Sequence, residues 1–113
     1  MVIIRDTLAF EDLEQMAARL FGDLVKAVVD VDRELLAVDA ELHADLEALP
    51  LHDGSKQRSL WGINLYPELP EDQCIEFDSM INVRPSQGNK SRGVDDDMIR
   101  NHVVAIVKKR LTR

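Results

Sequence analysis

Between Leu24 and Val38 the chain reads LVKAVVDV, then Asp32-Arg33, then ELLAV: two apolar runs rich in valine and leucine around a polar pair. The period is two or continuous, never three to four, so these runs are strands and not the face of a surface helix. A β-hairpin turning at Asp32-Arg33 hides both halves and leaves the turn in water. The rest of the chain has to pack around that hairpin. Immediately before it, Phe10, Leu13, Met16, Ala17, Leu20 and Phe21 recur at three and four residues and stop at Gly22, which predicts a helix over about 10–21. Glu11, Asp12 and Glu14 fall in its first turns, where carboxylates favour the positive end of the helix dipole. Val2, Ile3 and Ile4 are β-prone and lead in.

After the hairpin, Glu41 to Leu49 alternates strictly between polar and apolar residues and is bounded by Pro50 and Asp53-Gly54. That pattern predicts a strand, with a short helix as the alternative the same letters allow. RSLWGINLYP and CIEFDSMINV read as two further strands, separated by PELPEDQ, whose prolines forbid a central strand. The loop RPSQGNKSRG leads into a final helix over about 95–111, with Asp95, Asp96 and Asp97 at its start. Its buried stripe is Ile99, Val103, Ile106, Val107 and Leu111, and Lys108, Lys109, Arg110 and Arg113 suit its negative end. With 113 residues the chain can close one core, so residues 1–113 form a single domain. The expected fold is an α+β two-layer sandwich: a mostly antiparallel sheet with both amphipathic helices on one face.

Charge is distributed unevenly. Residues 23–78 hold fourteen Asp and Glu against four Lys and Arg, whereas residues 79–113 hold eight Lys and Arg against three Asp. An acidic centre repels phosphate backbones, so general nucleic-acid binding is disfavoured, and the basic end is expected to pack beside the acidic part. No apolar run approaches the ~20 residues of a membrane span, and the opening MVIIRDTLAF lacks the plan of a signal peptide. A cytoplasmic protein is expected. One cysteine, Cys74, allows neither an internal disulfide nor a four-cysteine zinc cage.

Read as a strand, Glu41, His43, Asp45 and Glu47 share the sheet face opposite the helices, and Glu76, Asp78 and Asn82 share the polar face of another strand; the two sets meet only if those faces coincide in the sheet. A solvated sheet face explains such a pattern; convergence would instead assemble a catalytic set of His43, Asp45, Glu76 and Asp78. His43, Asp45, Glu47 and Asp78 are then the candidate ligands for a divalent metal. Arg84, Lys90 and Arg92 stand in an acid-free loop, a candidate anion site. Gly88-Asn89-Lys90-Ser91 lacks the spacing of a phosphate-binding P-loop, and no Gly-x-Ser-x-Gly or His-Glu-x-x-His occurs. His52 reads as a turn residue, and His102 as a boundary residue of the last helix. Trp61 and Tyr66 point to opposite faces of their strand.

The motifs Glu41-Leu-His-Ala-Asp, Leu60-Trp-Gly-Ile-Asn, and Ile75-Glu-Phe-Asp-Ser-Met-Ile-Asn followed by Arg84-Pro-Ser-Gln-Gly-Asn run over most of the chain. In these stretches the sequence resembles a family of small prokaryotic proteins of about 100 residues that carries only a domain-of-unknown-function label. The resemblance implies a single small domain and assigns no reaction, cofactor or partner. From the residues, the leading expectation is a non-enzymatic binding or interaction domain, with a protein partner or a second copy in a homodimer as its occupant. The alternative is a small metal-assisted enzyme acting on a phosphorylated or otherwise anionic substrate.

Overall fold

The computed structural model describes all 113 residues. The expected hairpin is its centre: β3 (Val25–Asp30) and β4 (Leu35–Val38) pair antiparallel. Asp30 turns the corner by accepting the backbone N–H groups of Asp32 and Arg33, both at 2.9 Å, on one carboxylate oxygen. On the β4 side lies β1 (Val2–Ile4); on the β3 side lie β5 (Leu60–Leu65) and β6 (Ile75–Glu76). The sheet order is therefore β1-β4-β3-β5-β6, antiparallel throughout. A separate parallel pair, β2 (Leu8–Ala9) with β7 (Leu111–Thr112), ties the end of the chain to the start of the first helix.

Helices α1 (Phe10–Leu20) and α3 (Asp97–Arg110) cover one sheet face, as their apolar stripes require. Leu13, Met16 and Ala17 of α1 and Val103, Ile106 and Val107 of α3 join Val25, Ala27, Val29, Leu36, Trp61 and Ile63 in one buried cluster. Gly22, at φ +93°, ends α1 by donating its N–H to the Ala17 carbonyl. Asp96 caps α3, accepting the N–H groups of Met98 and Ile99. The basic end of α3 meets acids as the charge distribution suggested: Lys109 and His102 reach Glu34, and Lys108 reaches Glu71. The fold is α+β with an antiparallel sheet, and no helix is long and apolar enough to cross a membrane.

Two stretches differ from the sequence reading. Residues 41–49 are not a strand: α2 spans His43–His52. No β-branched residue occurs between Glu41 and His52, and the glutamate, leucine and alanine residues there are helix formers. Leu46 and Pro50, one turn apart, are the buried side chains. Pro50 sits in the last turn, where its carbonyl accepts from Asp53 and Ser55 and closes the helix. Leu46 packs with Val28, Ala37 and Leu60, so the sheet face expected to be bare carries a third helix over part of its area.

The second difference lies in CIEFDSMINV. Pairing stops at Glu76, and residues 80–82 form a 3-10 turn. What replaces the strand is a side chain: Asn82, fully buried, accepts the Gly62 N–H on Oδ1 at 2.8 Å and donates from Nδ2 to the Gly62 carbonyl at 2.9 Å. The carboxamide satisfies both polar groups of a central-strand peptide, the task a neighbouring strand would otherwise perform. Nδ2 also donates to the Arg92 carbonyl at 2.9 Å. Gly62 is required here, since a Cβ on it would lie 2.6 Å from the Ser79 Cβ. A second buried asparagine, Asn89, donates to the carbonyls of Asn82, Ser91 and Gly93 and accepts from the Asp95 N–H. Replacing Asn82 by alanine strands the Gly62 peptide, and urea denaturation of Asn82→Ala should show a loss of roughly 3 kcal/mol. Gly62→Ala should lose about 1–3 kcal/mol by overpacking; a loss well under 1 kcal/mol in both variants would mean that the brace contributes little.

Candidate functional site

Beyond the reach of α2, the second sheet face opens into a cleft of about 640 Å³. Its floor is laid by sheet residues whose side chains share that face: Lys26 on β3 lies opposite Asn64 on β5, and Asn64 lies opposite Glu76 on β6. One wall is the start of α2, with Leu42 and His43; the other is the segment after β6, with Asp78 through Ile81 and Arg92. Phe21, Leu42 and Met80 form an apolar rim, each more than a third exposed.

His43 is the side chain that most depends on this setting. Its Nε2 lies 2.8 Å from the Ile63 carbonyl, and because a carbonyl only accepts, Nε2 carries the proton and Nδ1 is left as an acceptor. Burial pulls its pKa below the ordinary 6.5; the Ile63 contact opposes that, and the nearby charge of Lys26 adds to it. The imidazole is neutral at pH 7.

Asn64, 7% exposed, donates from Nδ2 to Glu76 Oε1 at 2.8 Å and to the Asp78 carbonyl at 3.3 Å. Tyr66 donates its hydroxyl to the same Glu76 oxygen at 3.2 Å, and desolvation, helped by that acidic neighbour, raises the phenol pKa. The Asn64 Oδ1 is buried with no partner. Exchanging the two ends of the amide gives no relief, since Oδ1 would then face a carboxylate and a carbonyl. Leaving such an acceptor unpaired costs about 1–3 kcal/mol, and Trp61 Nε1 on the same strand is also buried without a partner.

The candidate residues from the sequence fall into two groups. His43, Glu76, Asp78 and Arg92 line the cleft. Arg92 Nε donates to Asp78 at 2.5 Å in an exposed pair. Asp45 is exposed and outside the cleft, because a helix turns it about 100° per residue away from His43. Glu47 faces Arg84 at 3.9 Å. No three His, Cys, Asp or Glu side chains stand close enough together to share a metal ion. Ser79, on the cleft wall, is buried, and its Oγ accepts the Ile81 N–H.

Arg84, Lys90 and Arg92 do not form one cluster. Arg84 is a structural cation: it donates to the carbonyls of Ile81, Gln57 and Leu60 and lies 4.6 Å from the Trp61 ring centroid. Burial lowers its pKa while Glu47 pushes the other way. Lys90 is exposed, and its backbone N–H and the Ser91 hydroxyl are both held by Asp95. Sequence reasoning passed over Lys26 and Asn64. The available signal was a lysine inside LVKAVVDV and an asparagine inside LWGINL, polar residues interrupting strands that are otherwise apolar.

Two measurements follow from these contacts. Arg84→Lys keeps the charge but loses the planar fork, and should lower stability by about 2 kcal/mol in urea denaturation; an unchanged midpoint would show that the three carbonyls need only a cation. For His43, the unfolded ring takes up a proton near pH 6.5 while the folded ring, with its depressed pKa, does not. The unfolded state then binds more protons, so stability falls as pH drops from 6.5 towards the folded value. Thermal melts between pH 7.5 and 5.5 should show this slope, reduced in His43→Gln. Equal slopes in both proteins would place the ring in water.

No curated protein and no solved structure matches the chain. The model of a family described as protein of unknown function, DUF5674, matches residues 2–110. That span contains every strand of the main sheet, the asparagine-braced loop and both walls of the cleft, and the chain belongs to that family.

Proposed function

We propose that this protein is a non-enzymatic binding domain whose cleft beside the start of α2 holds a small ligand. The observation that carries the reading is the cleft itself, about 640 Å³, in which Lys26, His43, Glu76 and Arg92 stand among polar neighbours beside an apolar rim of Phe21, Leu42 and Met80. That combination of a few fixed polar groups with apolar walls is the usual composition of a ligand site.

Catalysis has less support. Ser79 is occupied by a backbone N–H, Asp78 by Arg92, and one oxygen of Glu76 by Asn64 and Tyr66. His43 is oriented by a carbonyl with no carboxylate behind it. The metal-assisted alternative loses Asp45 and Glu47 from its ligand set, since neither lines the cleft. Self-association through a sheet edge has little to work with, because the edge strands β1 and β6 are three and two residues long.

An amide-resolved NMR titration with neutral, cationic and anionic fragments tests the reading. Saturable shifts should concentrate at Lys26, His43, Asn64, Glu76 and Arg92. Shifts scattered over the surface, or none with any fragment, would remove the cleft as a binding site.

A further inference from the structure

Helix α2 is held to the sheet by less than either helix on the other face. Helices α1 and α3 each bury three side chains in the cluster of seventeen buried residues. Helix α2 buries two, Leu46 and Pro50, and only Leu46 joins the separate cluster of four, with Val28, Ala37 and Leu60. Ala44, Asp45, Ala48 and Leu51 along it are exposed. Its own ladder is thin as well. Leu42 has no side-chain oxygen with which to cap the first N–H groups, and Pro50 has no N–H to return to the Leu46 carbonyl.

The remaining ties are polar and stand mostly at the two ends. His43 Nε2 donates to the Ile63 carbonyl at 2.8 Å. Asp53 accepts from Arg5 at 2.5 Å and from Arg33 at 2.6 Å, and Arg33 also donates to Ser55 Oγ at 2.7 Å. These ion pairs are partly exposed, and such pairs hold weakly. In the middle, Glu47 comes no closer to Arg84 than 3.9 Å. On each side of the helix the backbone passes through the left-handed region, at Asp39 with φ +76° and at Gly54 with φ +105°. Gly54 stands in open space, and the Asp39 side chain has one partner, Arg19 at 3.3 Å. Few residues at the ends of an element, able to absorb a large change in φ and ψ, are what a hinge requires.

We infer that the segment from Asp39 to Gly54 is a lid: α2 lifts from the sheet as one unit, turning about these two residues, while the five-stranded sheet, α1 and α3 stay folded. The lifted state uncovers Leu46 and the apolar face of Val28, Ala37 and Leu60, which keeps it a minor state. It disturbs none of the seventeen-residue cluster, which keeps it well below the cost of global unfolding. Leu42 and His43 form one wall of the cleft, so the same motion dismantles that wall. It needs no ligand to occur.

The test is native-state hydrogen exchange on the intact protein, followed residue by residue by NMR at rising urea below the unfolding transition. The amides of residues 46–53 should share one opening, with a small urea dependence and protection about tenfold or more below that of the slowest β3 and β4 amides. Ile106→Val trims the cluster that stays intact in the lifted state. It should therefore speed the slowest β3 and β4 amides about fivefold and leave residues 46–53 unchanged. Equal protection and urea dependence in both sets, or equal acceleration of both by Ile106→Val, would mean that α2 leaves only when the whole molecule unfolds, and would refute the lid. Exchange of residues 46–53 each at its own rate, with no urea dependence, would show fraying instead of a unit and refute it too. Neither result bears on whether the cleft binds a ligand.

Discussion

The carboxamide of Asn82 against the peptide of Gly62 is the contact on which the second half of the structure turns. The sheet requires something beside β5 at Gly62, because a buried peptide with neither strand nor water is heavily penalised. Asn82 meets that demand with one side chain, which frees the backbone around it to leave the sheet after Glu76. Ser79 can then come close over Gly62, in space that any other residue at that position would fill. The same asparagine reaches the Arg92 carbonyl, and Asn89 holds the carbonyls on either side of it. A loop that reads as an acid-free cationic connection is thereby fixed from within by two amides.

The cleft is a consequence of that departure. Had residues 75–83 continued as a strand, their polar side chains would have stood in a row on the sheet. Since the chain leaves at Glu76, Asp78 through Ile81 rise as a wall and Arg92 is brought to the same side. The opposite wall exists because α2 buries Leu46 against the sheet while its first residue, His43, reaches the Ile63 carbonyl. Between the two walls the sheet is left with polar residues that the core did not claim. Lys26 and Glu76 are tolerated there because both reach water; Asn64 is more deeply buried and carries the unmet bond.

Much of the architecture was legible from hydrophobic period. The hairpin, α1 and α3 follow from apolar residues spaced at two or at three and four, and packing on one sheet face enforces the same spacing. The stretch from Glu41 was ambiguous because alternation of leucine and alanine with acids satisfies both periods over nine residues. The absence of valine, isoleucine and threonine was the better signal. The departure at Glu76 had no periodic signature. CIEFDSMINV alternates well enough for a strand, and only the tertiary demand of the Gly62 peptide decides that Asn82 serves as a side-chain partner. For the same reason the anion cluster dissolved: Arg84 resembles a free loop cation in sequence, and its carbonyl partners at Gln57 and Leu60 are more than twenty residues away.

Charge pairing separates what is structural here from what is available. Arg84 has three carbonyls and the face of a tryptophan, Arg33 and Arg5 share Asp53, Lys109 has Glu34, and Arg92 has Asp78. Lys26 lines the cleft without such a partner, and Asn64, opposite it in register, keeps an acceptor unused. Asn64 Oδ1 has company in this, since Trp61 Nε1 on the same strand, Asp30 Oδ2 and Glu47 Oε2 are also buried without a partner, whereas Lys26 reaches water. A core selected for stability alone would accommodate an apolar pair at positions 26 and 64, where Leu24, Ala44 and Ile81 already supply apolar neighbours. A cation and an amide in register there instead keep the floor of the cleft polar, and the proposed binding role draws on that polarity.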